Sequence, residues 1–312
     1  IAGKVKESGK TESLLISDLN FGMYKEDLRT AKFIADHQKT DDWPTRIGST
    51  AGKNKPERIL QVLKELKNGS WSFGSGIQSS DEEVLGNVDR SNISVDSYNQ
   101  LLQYANSVGN LAYTEIILSL PGDTQAKHFQ SLRHSIENGA NQIRMYQSIL
   151  LPGTKMATKS IREKFEIRTK FRVIPGSIGF YQFGKERTPV CEIEEIIVST
   201  KDMTFDEYVS CRVMNLFVEV FFNGSMFDEL FNVLEASDIA TFDVLENVFE
   251  NQHKFPSRSK NIIDKFVDLT RDDLYDSHAA AKSYLLQEHV VQQHLENEAG
   301  INELLICRAE LY

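Results

Sequence analysis

The chain has 312 residues, a formal net charge of −10, and 26% charged and 40% hydrophobic residues. A chain of this length suits one large domain or a domain with an appendage, and it can bury enough apolar surface to fold without disulfides. Its acidic balance argues against a nucleic-acid partner, which requires a basic face. No run approaches the roughly 18 apolar residues of a membrane-spanning helix, so no membrane partner is expected.

The cysteines and histidines predict no metal site. Cys191, Cys211 and Cys307 are odd in number and far apart, which favours a reducing, cytoplasmic location over a disulfide framework. The closest histidine pairs are five and six residues apart, and neither pair has the i, i+4 spacing of helical metal ligands.

Residues 13–157 alternate short apolar runs with amphipathic segments. This alternation predicts βα units and a parallel sheet. Right-handed crossovers bring the carboxyl ends of such strands to one edge, where ligands usually bind. The predicted strands are 14–16, 44–48, 71–77, 115–120 and 143–151, separated by helices at 25–38, 56–69, 94–109 and 124–139.

The pattern changes after residue 157, and 158–312 is predicted to be a mostly helical α+β extension. Segments 171–176 and 192–198 are interpreted as two short, isolated strands. Thr204-Phe205-Asp206-Glu207 is a capping-box pattern that introduces a phenylalanine-rich helix. At the other end, residues 1–12 are polar and begin with Ile1, which we interpret as a linker or a truncated start.

Polar side chains cluster where the predicted strands end. Each could be a cap or turn residue, since serine, aspartate and asparagine commonly take that role. Glu115 differs, because a carboxylate inside an apolar strand needs a cation or a ligand hydroxyl. Arg90 is the candidate cation, and a purely structural Arg–Glu pair is the alternative. The strand-end residues are Asp18, Asn20, Ser49, Thr50, Gln78 and Ser79.

Four segments resemble strands and turns of the radical SAM superfamily, in the branch with the methylthiotransferases and the cobalamin-dependent members. They are ISDLNFGMYKED, GIQSSDEEVLGNVDR, TEIILSLPGDTQAKHF and QIRMYQSILLPGTKM. The resemblance implies a partial TIM-like (βα) barrel of parallel strands over 13–157. Two further segments, FRVIPGSIGFYQFG and EIEEIIVSTKDMTFDEYVSCR, resemble the C-terminal extension of cobalamin-associated members, which implies that 158–312 corresponds to that extension.

The same resemblance implies a site for S-adenosylmethionine. Gln78, with Ser79 beside it, matches the ribose-contacting position, and Glu115 matches an acidic position that accepts ribose hydrogen bonds. Arg90 matches the arginine that reaches the carboxylate of the methionine part. Asp18 and Asn20 replace the segment that holds its amino group, and the backbone at Ile149 matches the adenine contact.

Members of the family cleave S-adenosylmethionine to a 5′-deoxyadenosyl radical with a 4Fe–4S cluster held by three closely spaced cysteines. No such motif occurs here, so the cluster ligands, and any cobalamin domain, are expected upstream of Ile1. We therefore interpret the chain as the C-terminal portion of a radical SAM enzyme. Such an enzyme needs a reductant and a small-molecule or peptide substrate. Activity of this chain alone is not expected, and no catalytic residue is identified.

Two alternatives stay open. One is a non-catalytic module that uses the barrel for binding or assembly, and lack of a cluster fits it equally well. The other is an unrelated TIM-like lyase or aldolase with Glu115 as a general base. This second hypothesis is weaker, because the predicted strand ends offer neither a partner lysine nor a metal cluster.

Overall fold

The computed structural model describes Gly9 and residues 12–52, 55–91, 95–296 and 302–312. The chain forms two compact units. The first contains residues up to Ser80, Arg90–Ile116 and Ser131–Arg144, and the second contains Asp81–Asp89, Ile117–Gln130 and Met145–Tyr312. Within the described ranges, every helix falls short of the length or the apolar character that a bilayer-spanning helix requires. The domain boundary at residue 157 stays a prediction.

A five-stranded sheet has its strands in chain order. The pairs from β1 to β4 are parallel. The strand β5 runs the same way as β4, because Asn141 N donates to Ala112 O at its start and Ser148 N donates to Leu118 O at its end. The predicted α/β fold with a parallel sheet is confirmed. The strands are β1 (Ser13–Leu15), β2 (Arg46–Thr50), β3 (Trp71–Gln78), β4 (Ala112–Leu118) and β5 (Gln142–Gln147).

Helices connect the consecutive strands, as the alternation predicts. Pro56 is the first helical residue after β2, where its missing N–H is not needed. Since neighbouring strands follow one another in the chain, right-handed crossovers place these helices on one face of the sheet. The helices are α1 (Lys25–Asp41), α2 (Pro56–Glu65), α3 (Glu82–Asn87), α4 (Val95–Ser107) and α5 (Gln125–Glu137).

Aromatic residues form the core on that helix-covered face. The Trp71 ring lies 5.6 Å from Phe21 and 5.0 Å from Phe73, measured between centroids. Its Nε1 donates to Ser49 Oγ at 2.8 Å, so the buried hydroxyl of Ser49 serves the core. Ser49 therefore makes a cross-strand hydrogen bond and is not a cap or turn residue.

One long antiparallel hairpin replaces the two short strands predicted after residue 157. Its strands, β6 (Arg168–Phe183) and β7 (Glu186–Ser199), have 16 and 14 residues. The first strand was predicted over 171–176, so it ended at Pro175-Gly176, and proline is rare within a strand. A register shift between Val173 and Ile178, with Gly176 at φ 77°, lets the strand pass this pair and continue.

The predicted capping box begins a long apolar helix. Thr204 Oγ1 accepts from Glu207 N, and Glu207 Oε2 accepts from Thr204 N at 2.7 Å. This helix continues as a π-helical turn, Val218–Phe222. The helices of this part are α6 (Lys159–Lys164), α7 (Phe205–Phe217), α8 (Asp228–Glu235), α9 (Thr241–Glu250), α10 (Ser257–Asp272), α11 (His278–Leu285), α12 (Glu288–Glu296) and α13 (Glu303–Leu311), with 3₁₀ turns at Lys155–Ala157 and Gln252–Lys254.

A buried ion pair joins α7 to α13. Arg212 Nη2 lies 2.6 Å from Glu303 Oε1, and the two side chains are 4% and 8% exposed. Burial alone would raise the pKa of Glu303, but the positive charges of Arg212 and Arg172 hold that pKa below its ordinary value. Breaking such a pair leaves a charge buried without its partner, which is far more costly than losing a surface pair.

We expect Glu303→Ala to lower the free energy of unfolding by about 3–5 kcal/mol, because Arg212 would remain buried and uncompensated. The matched control is Glu310→Ala on the same helix, which removes the half-exposed Lys265–Glu310 pair and should cost at most about 1 kcal/mol. Urea denaturation at neutral pH measures both. Equal losses for the two variants would contradict the special role of the buried pair.

Candidate functional site

The face of the sheet opposite the helix-covered core is polar and rich in glycine. Register partners in a parallel sheet point to the same side, so alternate residues of neighbouring strands define this surface. We call it the polar face. Leu15 is the register partner of Gly48 and lies exposed on the same side. The polar and glycine members in the first unit include Arg46, Gly48, Thr50, Ser72, Gly74, Gly76, Tyr113, Glu115 and Arg144.

Two glycines of β3 make room for side chains of β4. A Cβ atom at Gly74 would lie 2.0–2.5 Å from the Tyr113 ring, and one at Gly76 would lie 2.9 Å from Glu115 Oε2. Tyr113 and Glu115 therefore lie across the backbone of β3. Glycine inside a strand often marks such a close approach.

The Tyr113 ring supports a guanidinium group on the next strand. Arg144 Cζ lies 3.5 Å from the ring centroid, within cation–π distance. Gly74, Tyr113 and Arg144 thus form one stack across β3, β4 and β5. No carboxylate of the described chain lies within ion-pair distance of Arg144, whereas Arg46 on the same face lies 3.7 Å from Glu12.

Glu115 is half-buried and makes no hydrogen bond or ion pair with any residue that the structure describes. The predicted pairing with Arg90 is wrong in this respect, because Arg90 is exposed and also has no described ion-pair partner. The carboxylate lies over Gly76 on the polar face instead of inside the apolar core, so solvent access removes the need for a protein cation. Its oxygens remain available to a ligand.

At the end of β3, the polar side chain of Gln78 is available to a ligand, whereas those of Ser79 and Asp81 contact other residues of the fold. Ser79 is buried with its Oγ 3.4 Å from Ser131 Oγ, and Ser80 N donates to the same Ser131 Oγ at 2.9 Å. Asp81 Oδ1 caps α3 by accepting from Val84 N. Gln78 is half-buried, has φ 64°, and finds no hydrogen-bond partner for its amide among the described residues.

Asp18 and Asn20 lie exposed in the loop after β1. Asn20 N donates to Asp18 Oδ1 at 2.8 Å, which closes a local turn and leaves the second carboxylate oxygen without a described partner. Ile149 belongs to the second unit. It is half-buried and pairs with Ile196 in an antiparallel bridge. The ligand contacts predicted for these three residues stay predictions.

Sequence reasoning missed Tyr113 and Arg144 and the two glycines beneath the stack. The alternation in β4 places Tyr113 and Glu115 on one side of the strand, and this signal was readable. The strand-internal glycines were a second signal. Placing Arg144 over Tyr113 requires the register between β4 and β5, which no local pattern supplies.

The cysteines do not fit an iron–sulfur cluster. Cys211 and Cys307 are fully buried, and burial raises the pKa of both thiols. Cys191 lies in β7, half-buried. No three histidine, cysteine or acidic side chains come together as metal ligands in the part of the chain that the structure describes. Cluster ligation requires grouped thiolates, and this chain does not group them.

Two curated proteins are similar to this chain over 218 residues, each with 28% identity. They are 2-(S-pantetheinyl)-carbapenam-3-carboxylate methyltransferase of Streptantibioticus cattleyicolor and the cobalamin-dependent radical SAM methyltransferase TokK of Streptomyces tokunonensis. These similarities confirm the resemblance to radical SAM proteins that the sequence segments indicate. The similarity covers 68% of this chain but only 31% of either relative, so the chain spans about a third of their length.

Other comparisons are weaker. Protein YhcC of Escherichia coli is 26% identical over 104 residues, which is 33% of each chain. The radical S-adenosylmethionine methyltransferase TsrM of Kitasatospora setae is similar over 60% of this chain and 35% of its own, with 14% identity and a TM-score of 0.43. No protein-family model matches the chain.

We expect Gly74→Ala to destabilise the protein by about 1–3 kcal/mol, because the new methyl group overlaps the Tyr113 ring. In a Tyr113→Ala background the same substitution should cost much less. Gly86→Ala is the control, since a Cβ there meets nothing within 4 Å and should be neutral or stabilising by up to about 1 kcal/mol. Free energies of unfolding test this, and an unchanged cost without the ring would refute the close approach.

Proposed function

We propose that this chain carries the S-adenosylmethionine-binding surface of a radical SAM methyltransferase. One observation carries the proposal: Glu115 and Gln78 lie on adjacent strands, and neither finds a hydrogen-bond partner among the described residues. Both side chains are half-buried and have no partner among the described residues, so their polar atoms are available to a ligand. The methyltransferase names of both relatives support the choice of ligand and reaction.

The adenosyl group is proposed to lie at the carboxyl end of β3 and β4. The Glu115 carboxylate would accept hydrogen bonds from the ribose hydroxyls, and the Gln78 amide, at the end of the neighbouring strand, can both donate and accept. Gly76 has no side chain, which lets the Glu115 carboxylate lie over the β3 backbone. Ser79 contributes less, because its hydroxyl already lies against Ser131.

The methionine part needs one cation and one anion. Exposed Arg90 is proposed to pair with its carboxylate, since a guanidinium matches a carboxylate in a bidentate geometry. The second oxygen of Asp18, with Asn20 beside it, is the proposed acceptor for the ammonium group.

For the whole protein we propose a 4Fe–4S cluster, with cobalamin as in the name of TokK, and a reductant. The cluster ligands would come from residues outside this chain, and no step at the cluster or at cobalamin is assigned to its residues. The methyl acceptor is proposed to be a small molecule, because the carbapenam relative is named for one. The role proposed for this chain is to bind and orient S-adenosylmethionine.

Binding of two adenosyl compounds tests the site. S-adenosylhomocysteine carries both the ribose and a carboxylate, whereas 5′-methylthioadenosine carries the ribose but no carboxylate. We expect Glu115→Gln to weaken both roughly tenfold or more, because a charge-assisted hydrogen bond is lost. Arg90→Gln should weaken only S-adenosylhomocysteine. Isothermal titration calorimetry on the intact chain measures the affinities.

Arg144→Gln is the matched control, because it removes a cation from the same polar face. It should leave both affinities unchanged. If it weakens S-adenosylhomocysteine while Arg90→Gln does not, Arg144 holds the carboxylate and the Arg90 assignment is wrong. Unchanged affinities in Glu115→Gln would refute the ribose site itself.

Anaerobic reconstitution with iron and sulfide tests the origin of the cluster ligands. We expect no stoichiometric 4Fe–4S absorption from this chain, since its three cysteines are separated and two are buried. The control is the chain with Cys191, Cys211 and Cys307 replaced by alanine. A full cluster signal that this variant loses would show that the chain binds the cluster by itself.

A further inference from the structure

A pocket of about 310 Å³ lies in the second unit, where the end of α10 meets α11 and α12. Its volume is at the lower end of pockets that hold small molecules. It lies apart in sequence from the residues proposed to hold S-adenosylmethionine. None of those residues lines it.

The floor of the pocket is apolar and fixed by core packing. Leu285 and Val290 line it and are almost fully buried. Both belong to a hydrophobic cluster with Val173 and Ala281. Because these side chains are held by the core, the pocket is formed before any ligand binds.

Two tyrosines form an aromatic wall. The rings of Tyr275 and Tyr284 are 5.9 Å apart with an interplanar angle of 36°. Tyr275 is fixed by two backbone hydrogen bonds with Phe171, at 2.9 and 2.8 Å. Tyr284 is half exposed at the rim. Tyrosine faces attract cations through the ring quadrupole.

A carboxyl group without a partner completes the wall. Asp273 follows the last turn of α10, and its side chain makes no hydrogen bond or ion pair with residues in the described ranges. Burial raises the pKa of Asp273 to about 7, and the negative charges of Glu303 and Glu194 add to this while Arg172 opposes it. The carboxyl end of α10 adds negative potential.

The remaining polar residues of the pocket do not supply a fixed positive charge. Asp272 is a second carboxylate, and Gln293 is neutral. Burial lowers the pKa of His294, so its ring is uncharged at neutral pH. The pocket therefore combines negative charge, aromatic faces and an apolar floor.

We propose that this pocket binds a small organic cation, an amine with an apolar body. The ammonium group lies at Asp273 with Asp272 beside it, against the tyrosine faces. The apolar body packs on Leu285 and Val290. This ligand is separate from S-adenosylmethionine, and the proposal does not rest on the function proposed above.

Benzylamine and its neutral analogue benzyl alcohol are the probes. The intact chain should bind benzylamine at least roughly tenfold more tightly, because only the amine pairs with the carboxylate. Asp273→Asn should remove this preference. Asp268→Asn, an exposed residue on the same helix, should keep it. Titrations followed by calorimetry or NMR give the affinities.

The pH dependence identifies the charge involved. The Asp273 carboxyl loses its proton near pH 7, so benzylamine affinity should rise between about pH 6 and pH 8. Protonation of His294 would also oppose the amine in acid, so His294→Gln is compared. The rise should persist in His294→Gln and vanish in Asp273→Asn.

Several results would overturn the proposal: no binding of either probe, equal binding of both, or an unchanged preference in Asp273→Asn. Circular dichroism shows whether that variant folds. If it does not fold, Tyr284→Ala at the rim serves as the test, and an unchanged benzylamine affinity there refutes the site. Glu115→Gln should leave benzylamine binding intact, which separates this pocket from the adenosyl surface.

Discussion

The polar face depends on the absence of two side chains from β3. Gly74 and Gly76 let Tyr113 and Glu115 lie directly over the strand backbone. A larger residue at either position would push these groups away from the sheet. Because the strand spacing is fixed by the hydrogen-bond ladder, only the missing Cβ atoms can provide this room. The placement of an aromatic ring, a guanidinium group and a carboxylate on one surface follows from that constraint.

Ion pairs with little solvent exposure lie among the hydrophobic residues of the second unit. Arg212 pairs with Glu303, and Arg172 Nε lies 2.6 Å from Glu194 Oε1. Apolar residues of similar size could be as stabilising as buried pairs of this kind. We expect these pairs to contribute more to the specificity of packing than to net stability. The same charges set the electrostatic environment of Asp273.

The sequence predicted the regular elements well and the long-range contacts poorly. The strands of the parallel sheet and the cap at Thr204 were readable from local patterns, because burial and capping leave a local signature. The β6–β7 hairpin was not, because Pro175 and Gly176 hide a bulge that only pairing with β7 reveals.

In the candidate site, too, single residues were predictable from the sequence and the contacts between distant residues were not. Gln78 and Glu115 stood out as polar groups on apolar strands, and the structure places them on neighbouring strands. The contact of Ser79 with Ser131, 52 residues away, and the stacking of Arg144 on Tyr113 needed the tertiary fold. The absence of an Arg90–Glu115 pair had the same origin, since local spacing does not tell which side of a strand meets solvent.

Gln78 lies at a backbone bend that glycine would form with less strain. A side chain at φ 64° is a departure from the regions that most residues prefer, and glycine would adopt it without penalty. Replacing Gln78 by glycine would sacrifice no hydrogen bond among the described residues. The folding free energy alone would thus favour glycine at this bend, and the Gln78 amide adds no hydrogen bond among the described residues that would offset the strain.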